Sequence, residues 1–353
     1  MTPSGRVVVT GGAGFIGAAV VRQLVGAGHD VTVLDSLRPD VHRDGGAAAR
    51  QRMSVLQVPL VEADVRDLDA VSALVDGADA VVHLAAKVGL GVDLGDMDDY
   101  VSSNDLGTAV LLRACGTGSV SRFIQASSMV VYGEGHYTCS THGVVPPGPR
   151  TSQSLQDKDF EPPCPFCGRP LRDGLVVESA PLDPRNTYAV SKVTQEHLAG
   201  VWARETGKAA VSLRLHNVYG PGMPRNTPYA GVAAIFSSAL DRGEAPRVFE
   251  DGGQRRDFVH LDDIGSAFGT VAEVGTSMPG HVAYNVGSGA VSTVGDMARA
   301  LAHARGGPEP VVTGEFRLGD VRHITASSER IAADLGWRAR VRLGDGVRGL
   351  AFD

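Results

Sequence analysis

Apolar residues along the first 130 positions fall into short β-branched runs separated by stretches of helix-like period. Arg6–Thr10, Asp30–Asp35, Leu60–Ala63, Ala80–Leu84 and Arg122–Ser127 read as strands. Strand–helix–strand repetition predicts an α/β chain built on a parallel, doubly wound sheet. The patch from Arg43 to Arg52 reads as a surface loop after the second strand. Between Tyr132 and Asp183 the pattern breaks: seven prolines between Val145 and Pro170 exclude a long helix or a central strand and mark an insertion of turns and extended chain. Tyr188–Thr206 is helical again and Ala210–Leu215 is a sixth buried strand. The remainder mixes strands at Arg247–Glu250 and Ala283–Val286 with helices at Gly231–Arg242, Leu261–Val274 and Val294–Arg305, which predicts a smaller α/β lobe capping the sheet. The expected division is a sheet domain over 1–216 with an insertion at 134–180, and a lobe over 217–353 in which part of 253–275 packs back on the sheet domain.

Composition narrows the function classes. The 353 residues suffice for a full hydrophobic core, and a formal charge of −7, from 33 basic and 40 acidic side chains, argues against non-specific binding to nucleic acid or an anionic membrane. Any phosphate must therefore be held locally. No secretory signal pattern is seen, and no apolar run reaches the roughly 18 residues of a membrane span. The expectation is a cytoplasmic protein whose four cysteines are reduced thiols or metal ligands.

The first strand runs into Gly11-Gly12-Ala13-Gly14-Phe15-Ile16-Gly17 and then an apolar helix. Gly11, Gly14 and Gly17 fit a dinucleotide fingerprint: a turn without Cβ, a backbone open to pyrophosphate, and a close helix–strand contact. Asp35 ends the second strand, where a carboxylate holds a ribose 2′-hydroxyl and repels a 2′-phosphate, so NAD is favoured over NADP. Asp64, ending the third strand, is placed to meet adenine. Further on, Tyr188-Ala-Val-Ser-Lys192 puts a phenol and an ammonium one turn apart on one helix face, and a neighbouring ammonium is expected to lower the phenol toward a usable base. Ser127-Ser128 closes the fifth strand at the sheet's carboxyl edge, where a hydroxyl can orient a reacting oxygen.

These motifs occur with Asp64-Val65-Arg66-Asp67, His83-Leu84-Ala85-Ala86, Asn104-x-x-Gly107-Thr108, Ser128-Met129-Val130-Val131-Tyr132-Gly133, Asn217-Val218-Tyr219-Gly220-Pro221-Gly222 and Arg256-Asp257-Phe258-Val259-His260. Together they resemble an extended short-chain dehydrogenase/reductase with a Rossmann sheet, of the NAD-dependent nucleotide-sugar epimerase/dehydratase family. The resemblance implies a catalytic Ser128, Tyr188 and Lys192. It also implies an NAD site made by the glycines with Phe15, Ile16, Asp35, Asp64, Val65, Leu84, Ala85, Ala86, Asn104, Tyr188 and Lys192. Ser128, Asn217, Arg256 and Arg317 would contact the nucleotide sugar, and a homodimer is expected. Dehydratases of this kind carry Asp-Glu directly after the catalytic hydroxyl; Met129 and Val130 stand here and cannot transfer protons. What remains is oxidation at C4, rotation of the 4-keto sugar and return of hydride to its other face. A ketoreductase would use the same three residues, and a non-catalytic NAD sensor is the alternative of another class. Ala326-Ser327 and Leu335–Ala339 depart from the family pattern and bear on substrate identity.

The insertion holds Cys139-x-x-His142 and, after 21 intervening residues, Cys164-Pro-Phe-Cys167-Gly168. Two pairs at x₂ spacing in a Pro/Gly-rich segment resemble a small zinc ribbon, in which three thiolates and one imidazole would close a structural tetrahedron. A redox Cys164/Cys167 pair and a loop with incidental thiols are the alternatives. The position of the insertion also resembles that in a bacterial branch of the family that converts dTDP-L-rhamnose to dTDP-6-deoxy-L-talose, which implies a dTDP-deoxyhexose substrate.

Overall fold

The computed structural model describes residues 5–89, 94–224, 231–274 and 279–350. Seven strands form the main sheet: β1 (Arg6–Thr10), β2 (Asp30–Asp35), β3 (Leu60–Glu62), β4 (Ala80–His83), β5 (Arg122–Ser128), β6 (Ala209–Leu215) and β7 (Gly280–Val286). Their spatial order is β7-β6-β5-β4-β1-β2-β3, and every pairing within the sheet is parallel. Val7, Val8, Val9, Val81, Val82, Phe123, Ile124 and Val211 are each no more than 2% exposed. The central strands are thus covered on both faces, which is why they read as continuous apolar runs rather than alternating ones.

Helix α1 (Phe15–Gly26) covers one face together with α4 (Leu261–Val274), through Val20, Val21 and Leu24 against Ile264, Ala267, Phe268 and Val271. Glycines let these two helices approach: a Cβ at Gly265 would lie 3.0 Å from the Ala19 carbonyl oxygen, and one at Gly269 would lie 2.7 Å from Gln23 Cγ. The other face is covered by α2 (Gly107–Thr117), α3 (Thr187–Thr206) and the helix Leu68–Val75, around Leu111, Leu112, Phe123 and Trp202. The smaller lobe has a core of its own, where Phe236, Leu240, Met297, Leu301 and Val347 pack among the helices Val232–Asp241, Val294–Arg305 and Leu343–Gly349.

Two expectations are corrected. Ala283–Val286 does not belong to the lobe. It lies in β7, which pairs with β6 from Gly280↔Ala209 to Val286↔Leu215. After α4 the chain crosses back to the sheet edge, and buried Tyr284, Asn285 and Val286 complete it. The Arg43–Arg52 patch is not all loop either: Gly46, in the left-handed conformation, starts a helix over Ala47–Val55 that buries Ala49 and Met53. Good helix formers with two buried contacts outweighed the patch's polar look. No helix among the described residues is long and apolar enough to cross a membrane.

Candidate active site

β1 lies between β4 and β2, so the strand order reverses there and a crevice opens at the carboxyl ends of the strands. A cavity of about 500 Å³ occupies it. Gly11, Gly14, Phe15, Ile16, Gly17, Asp35, Asp64, Val65, Leu84, Ala85, Ala86, Ser128, Tyr188 and Asn217 all line this cavity, and Met223 and Phe258 close it from the lobe side.

The glycine turn is dictated by space. Gly11 has φ +70°, and a Cβ there would lie 2.6 Å from the Ala85 amide nitrogen; a Cβ at Gly17 would lie 2.1 Å from the Gly11 carbonyl oxygen. Helix α1 begins after Gly14 with no side-chain cap and no acidic residue in its first turn. Its amides and positive dipole end therefore face the cavity, free of competition from carboxylates. The Asp35 carboxylate accepts from the amides of Ala13 at 3.1 Å and Leu37 at 3.0 Å, which fixes it at the cavity wall with acceptor capacity left for a ribose hydroxyl. Arg38 also lines the cavity, but its guanidinium is engaged by Asp40 and Asp99. Asp64 is held by Arg66 through bonds of 2.8 and 2.6 Å, which keep its carboxyl below the ordinary range. This donor set and cradle fit NAD.

The chemical group sits where β5 meets α3. Asn186 caps α3 by accepting from the Ala189 amide at 2.8 Å, which sets the helix start and so places Tyr188 and Lys192 on the face toward β5. Ser128, ending β5, and Tyr188 both line the cavity, close enough for the hydroxyl to act on the phenol. Lys192 Nζ donates to the Ala126 carbonyl at 2.9 Å and lies 5.8 Å from the Tyr188 ring centre. The expected lowering of the phenol by Lys192 is not found: enclosure pushes Tyr188 up to about 12, against the opposing effect of Ser128. The ammonium is turned to the backbone of β5 and is itself depressed to about 8 by burial. Behind this group runs a buried network: Arg214 makes a two-pronged pair with Glu196 at 2.9 and 2.7 Å and donates to Tyr132 Oη at 2.7 Å, while Glu196 also accepts from Ser127. It ties β5, β6 and α3 together next to the reacting hydroxyls.

Other expected site residues lie outside the cavity lining. Asn104 is fully buried. Its oxygen accepts from the Lys87 amide at 2.7 Å, and its nitrogen donates to the Lys87 carbonyl and to Ser191. It fixes the loop after β4 rather than facing the cavity. A π-helical stretch over Val101–Leu106 carries it, a feature with no mark in the apolar pattern. Arg256 donates to the carbonyls of Arg255, Val321 and Arg322, and Arg317 is exposed with its guanidinium 5.4 Å from the Phe249 ring. Both arginines act electrostatically on Asp320. The metal candidates Cys139, His142, Cys164 and Cys167 come together away from the cavity.

Two cavity residues had gone unmarked in the sequence. Lys87 is buried, with Nζ 2.7 Å from Asp96 and 2.9 Å from Asp99. His216 has both ring nitrogens buried and without a partner among the described residues. Its only signal was a polar residue ending an apolar strand. Burial pushes His216 and the packed His83 each down to about 3. An unfolded histidine takes up its proton near pH 6.5, so between pH 6.5 and about 3 the unfolded chain holds more protons than the folded one. Stability should therefore fall as pH drops through this window, by up to about 1.4 kcal/mol per pH unit for each histidine. Urea unfolding across the window should give a slope shallower by about one proton for His216→Asn, and an unchanged slope would contradict it.

The family model described as the NAD dependent epimerase/dehydratase family matches residues 7–154 and 167–287. The chain is 34% identical over 346 residues to a dTDP-L-rhamnose 4-epimerase of Burkholderia thailandensis, covering 97% of this chain and 93% of that protein. Its structure is similar to that of UDP-glucose 4-epimerase from Thermotoga maritima with UDP-glucose, at TM-score 0.78, 26% identity and 98% coverage of each chain. It is also similar to the Thermus thermophilus UDP-glucose 4-epimerase complex with NAD, at TM-score 0.75, 29% identity and 98% coverage of each. With the dinucleotide cradle and the serine–tyrosine pair sharing one cavity, the chain belongs to the NAD-dependent epimerase/dehydratase family.

Proposed function

We propose that this chain catalyses C4 epimerisation of a nucleotide-activated 6-deoxyhexose, converting dTDP-L-rhamnose to dTDP-6-deoxy-L-talose. The observation that carries the epimerase reading is Met129, which lines the cavity together with Ser128 and Tyr188. Elimination of water across C5–C6 needs an acid and a base, which dehydratases resembling this chain carry at the two positions after the catalytic serine. A thioether and the isopropyl group of Val130 supply neither, so proton movement is left to Tyr188. The 34% identity to the Burkholderia thailandensis protein supports the substrate.

Bound NAD supplies the reversible hydride chemistry and, when oxidised, a positive charge that favours phenolate at Tyr188. Tyr188 takes the C4 hydroxyl proton and later returns it. Ser128, beside that phenol, orients the reacting oxygen, and Lys192 holds its charge beneath them. Asn217, whose side-chain oxygen is buried and without a partner among the described residues, and Arg317 would meet the diphosphate or sugar. Arg256, bonded to three carbonyls, shapes the segment behind them. Met97, Val101, Leu106, Val190 and Val201, exposed on the neighbouring helical stretches 97–117 and 187–206, support a homodimer. The protein is read as cytoplasmic.

Purified protein given dTDP-L-rhamnose without added nicotinamide should yield a mixture of C4 epimers by NMR. Stoichiometric consumption of NADH or NADPH with a 4-keto sugar would establish the ketoreductase instead. NAD binding without turnover of any nucleotide sugar in a panel would leave the sensor.

A further inference from the structure

The insertion is a three-stranded antiparallel sheet, with His136–Cys139 between Gly143–Val144 and Arg172–Gly174. Its own apolar cluster is small: buried Cys139, Val145 and Cys164 with partly buried Leu171. That cluster is too small to order the two Cys/His pairs by itself, since the insertion's larger buried side chains, Tyr137, Leu155, Phe160 and Val176, lie outside it.

At its centre the Sγ atoms of Cys139, Cys164 and Cys167 and the ring of His142 present donors all within 4.8 Å of one another. Cys139 Sγ lies 3.8 Å from Cys167 Sγ and 3.6 Å from His142 Nδ1, and Cys164 Sγ lies 3.5 Å from the same nitrogen. A tetrahedron with Zn–S bonds of about 2.3 Å and a Zn–N bond of about 2.0–2.1 Å has edges of about 3.8 Å between sulfurs and about 3.5 Å between sulfur and nitrogen. The Thr141 amide donates to Cys139 Sγ at 3.4 Å, as in knuckles that stabilise thiolates. Arg169 bonds Thr141 Oγ1 at 2.9 Å and joins the two knuckles. A disulfide would use two of these sulfurs and leave the imidazole and the third without a role.

The same insertion grips the lobe segment that follows Arg317. The Glu134 carboxylate accepts from the Arg322 amide at 2.8 Å, and Glu161, three residues before Cys164, pairs with Arg322 and His323 at 2.7 and 2.9 Å. Arg150 donates to the Asp320 carbonyl at 2.7 Å and pairs with Glu250 at 2.8 Å. A Cβ at Gly135 would lie 2.5 Å from the His323 carbonyl oxygen, so the two backbones are in direct contact.

We propose that Cys139, His142, Cys164 and Cys167 hold one structural zinc ion, and that this ion, by folding the insertion, braces the 317–323 segment for nucleotide-sugar binding. Three thiolates and a neutral imidazole fill all four positions, so the metal has no open site for chemistry. Its loading is a folding event for the insertion and not for the dinucleotide cradle, which is built on β1 and α1. The bracing half rests on the nucleotide-sugar reading above; the zinc half does not.

Protein purified under reducing conditions should carry one zinc per chain by elemental analysis. Cobalt in its place should give the visible bands of a tetrahedral thiolate site. Chelation of the wild type and the Cys164→Ser/Cys167→Ser variant should both lose the metal and open the insertion to protease, while NAD affinity measured by titration stays the same. KM for the nucleotide sugar should then rise by about tenfold. Only trace zinc in protein prepared with zinc present, or equal zinc in the variant, would overturn the metal site. Zinc lost with KM unchanged would overturn the bracing and leave the metal site standing. No turnover in zinc-loaded wild type would instead count against the nucleotide-sugar reading, and the bracing claim would fall with it.

Discussion

Tyr188→Phe should lower kcat by about 10²–10⁴-fold, the usual contribution of a positioned acid–base group, equivalent to about 3–5 kcal/mol of barrier. The Tyr188 phenol lines the cavity beside Ser128 and Met129 and can pass a proton to and from a sugar hydroxyl, which Met129 and Val130 cannot. The ring stays in the variant, so its packing against Tyr100, at 6.1 Å between ring centres, is kept. NAD should bind as before, since the glycine turn and Asp35 are untouched. Steady-state kinetics with a parallel NAD titration decides. Activity near wild type would show that the proton leaves by another route, and loss of NAD binding would show that the change acted on the fold.

Arg214→Met should destabilise the protein by about 3–5 kcal/mol in urea unfolding. Arg214 and Glu196 are both at most 5% exposed, and removing the guanidinium leaves a carboxylate stranded in the interior with only Ser127 as a donor among the described residues. Adding Glu196→Gln should recover much of the loss, because the neutral amide does not need the missing charge. A loss below about 1 kcal/mol for Arg214→Met would mean that water reaches the pair. Turnover should also fall, since the network holds Ser127, adjacent to Ser128, against α3.

The dinucleotide half of the site was legible because its chemistry is local. Gly11, Gly14, Gly17 and Asp35 stand at fixed distances along one strand–helix–strand unit, and the backbone geometry that selects them repeats wherever that unit binds a dinucleotide. The Tyr188–Lys192 spacing was equally plain, yet its electrostatics were not. Spacing places an ammonium near a phenol, but the depth of the site and the Ala126 carbonyl decide where the charge is felt. β7 was assigned to the wrong layer because Ala283–Val286 is too short, and too mixed with Tyr284 and Asn285, for periodicity to say which sheet it joins. Asn285 is buried there because its side chain is fully engaged, accepting from Tyr132 and donating to the carbonyls of Val176 and Ser327. Those partners are distant in sequence. The same is true of Glu196–Arg214.

The reading of the site as one that takes hydride from C4 and returns it to the other face is tested most directly with dTDP-L-rhamnose carrying deuterium at C4. It would be incubated with purified protein in ordinary water without added nicotinamide, and the sugars analysed by NMR and mass spectrometry. The account predicts dTDP-6-deoxy-L-talose with deuterium kept at C4, because the hydride is taken and returned within one site. Washout of the label to solvent, or conversion only when NADH or NADPH is supplied and consumed, would contradict it.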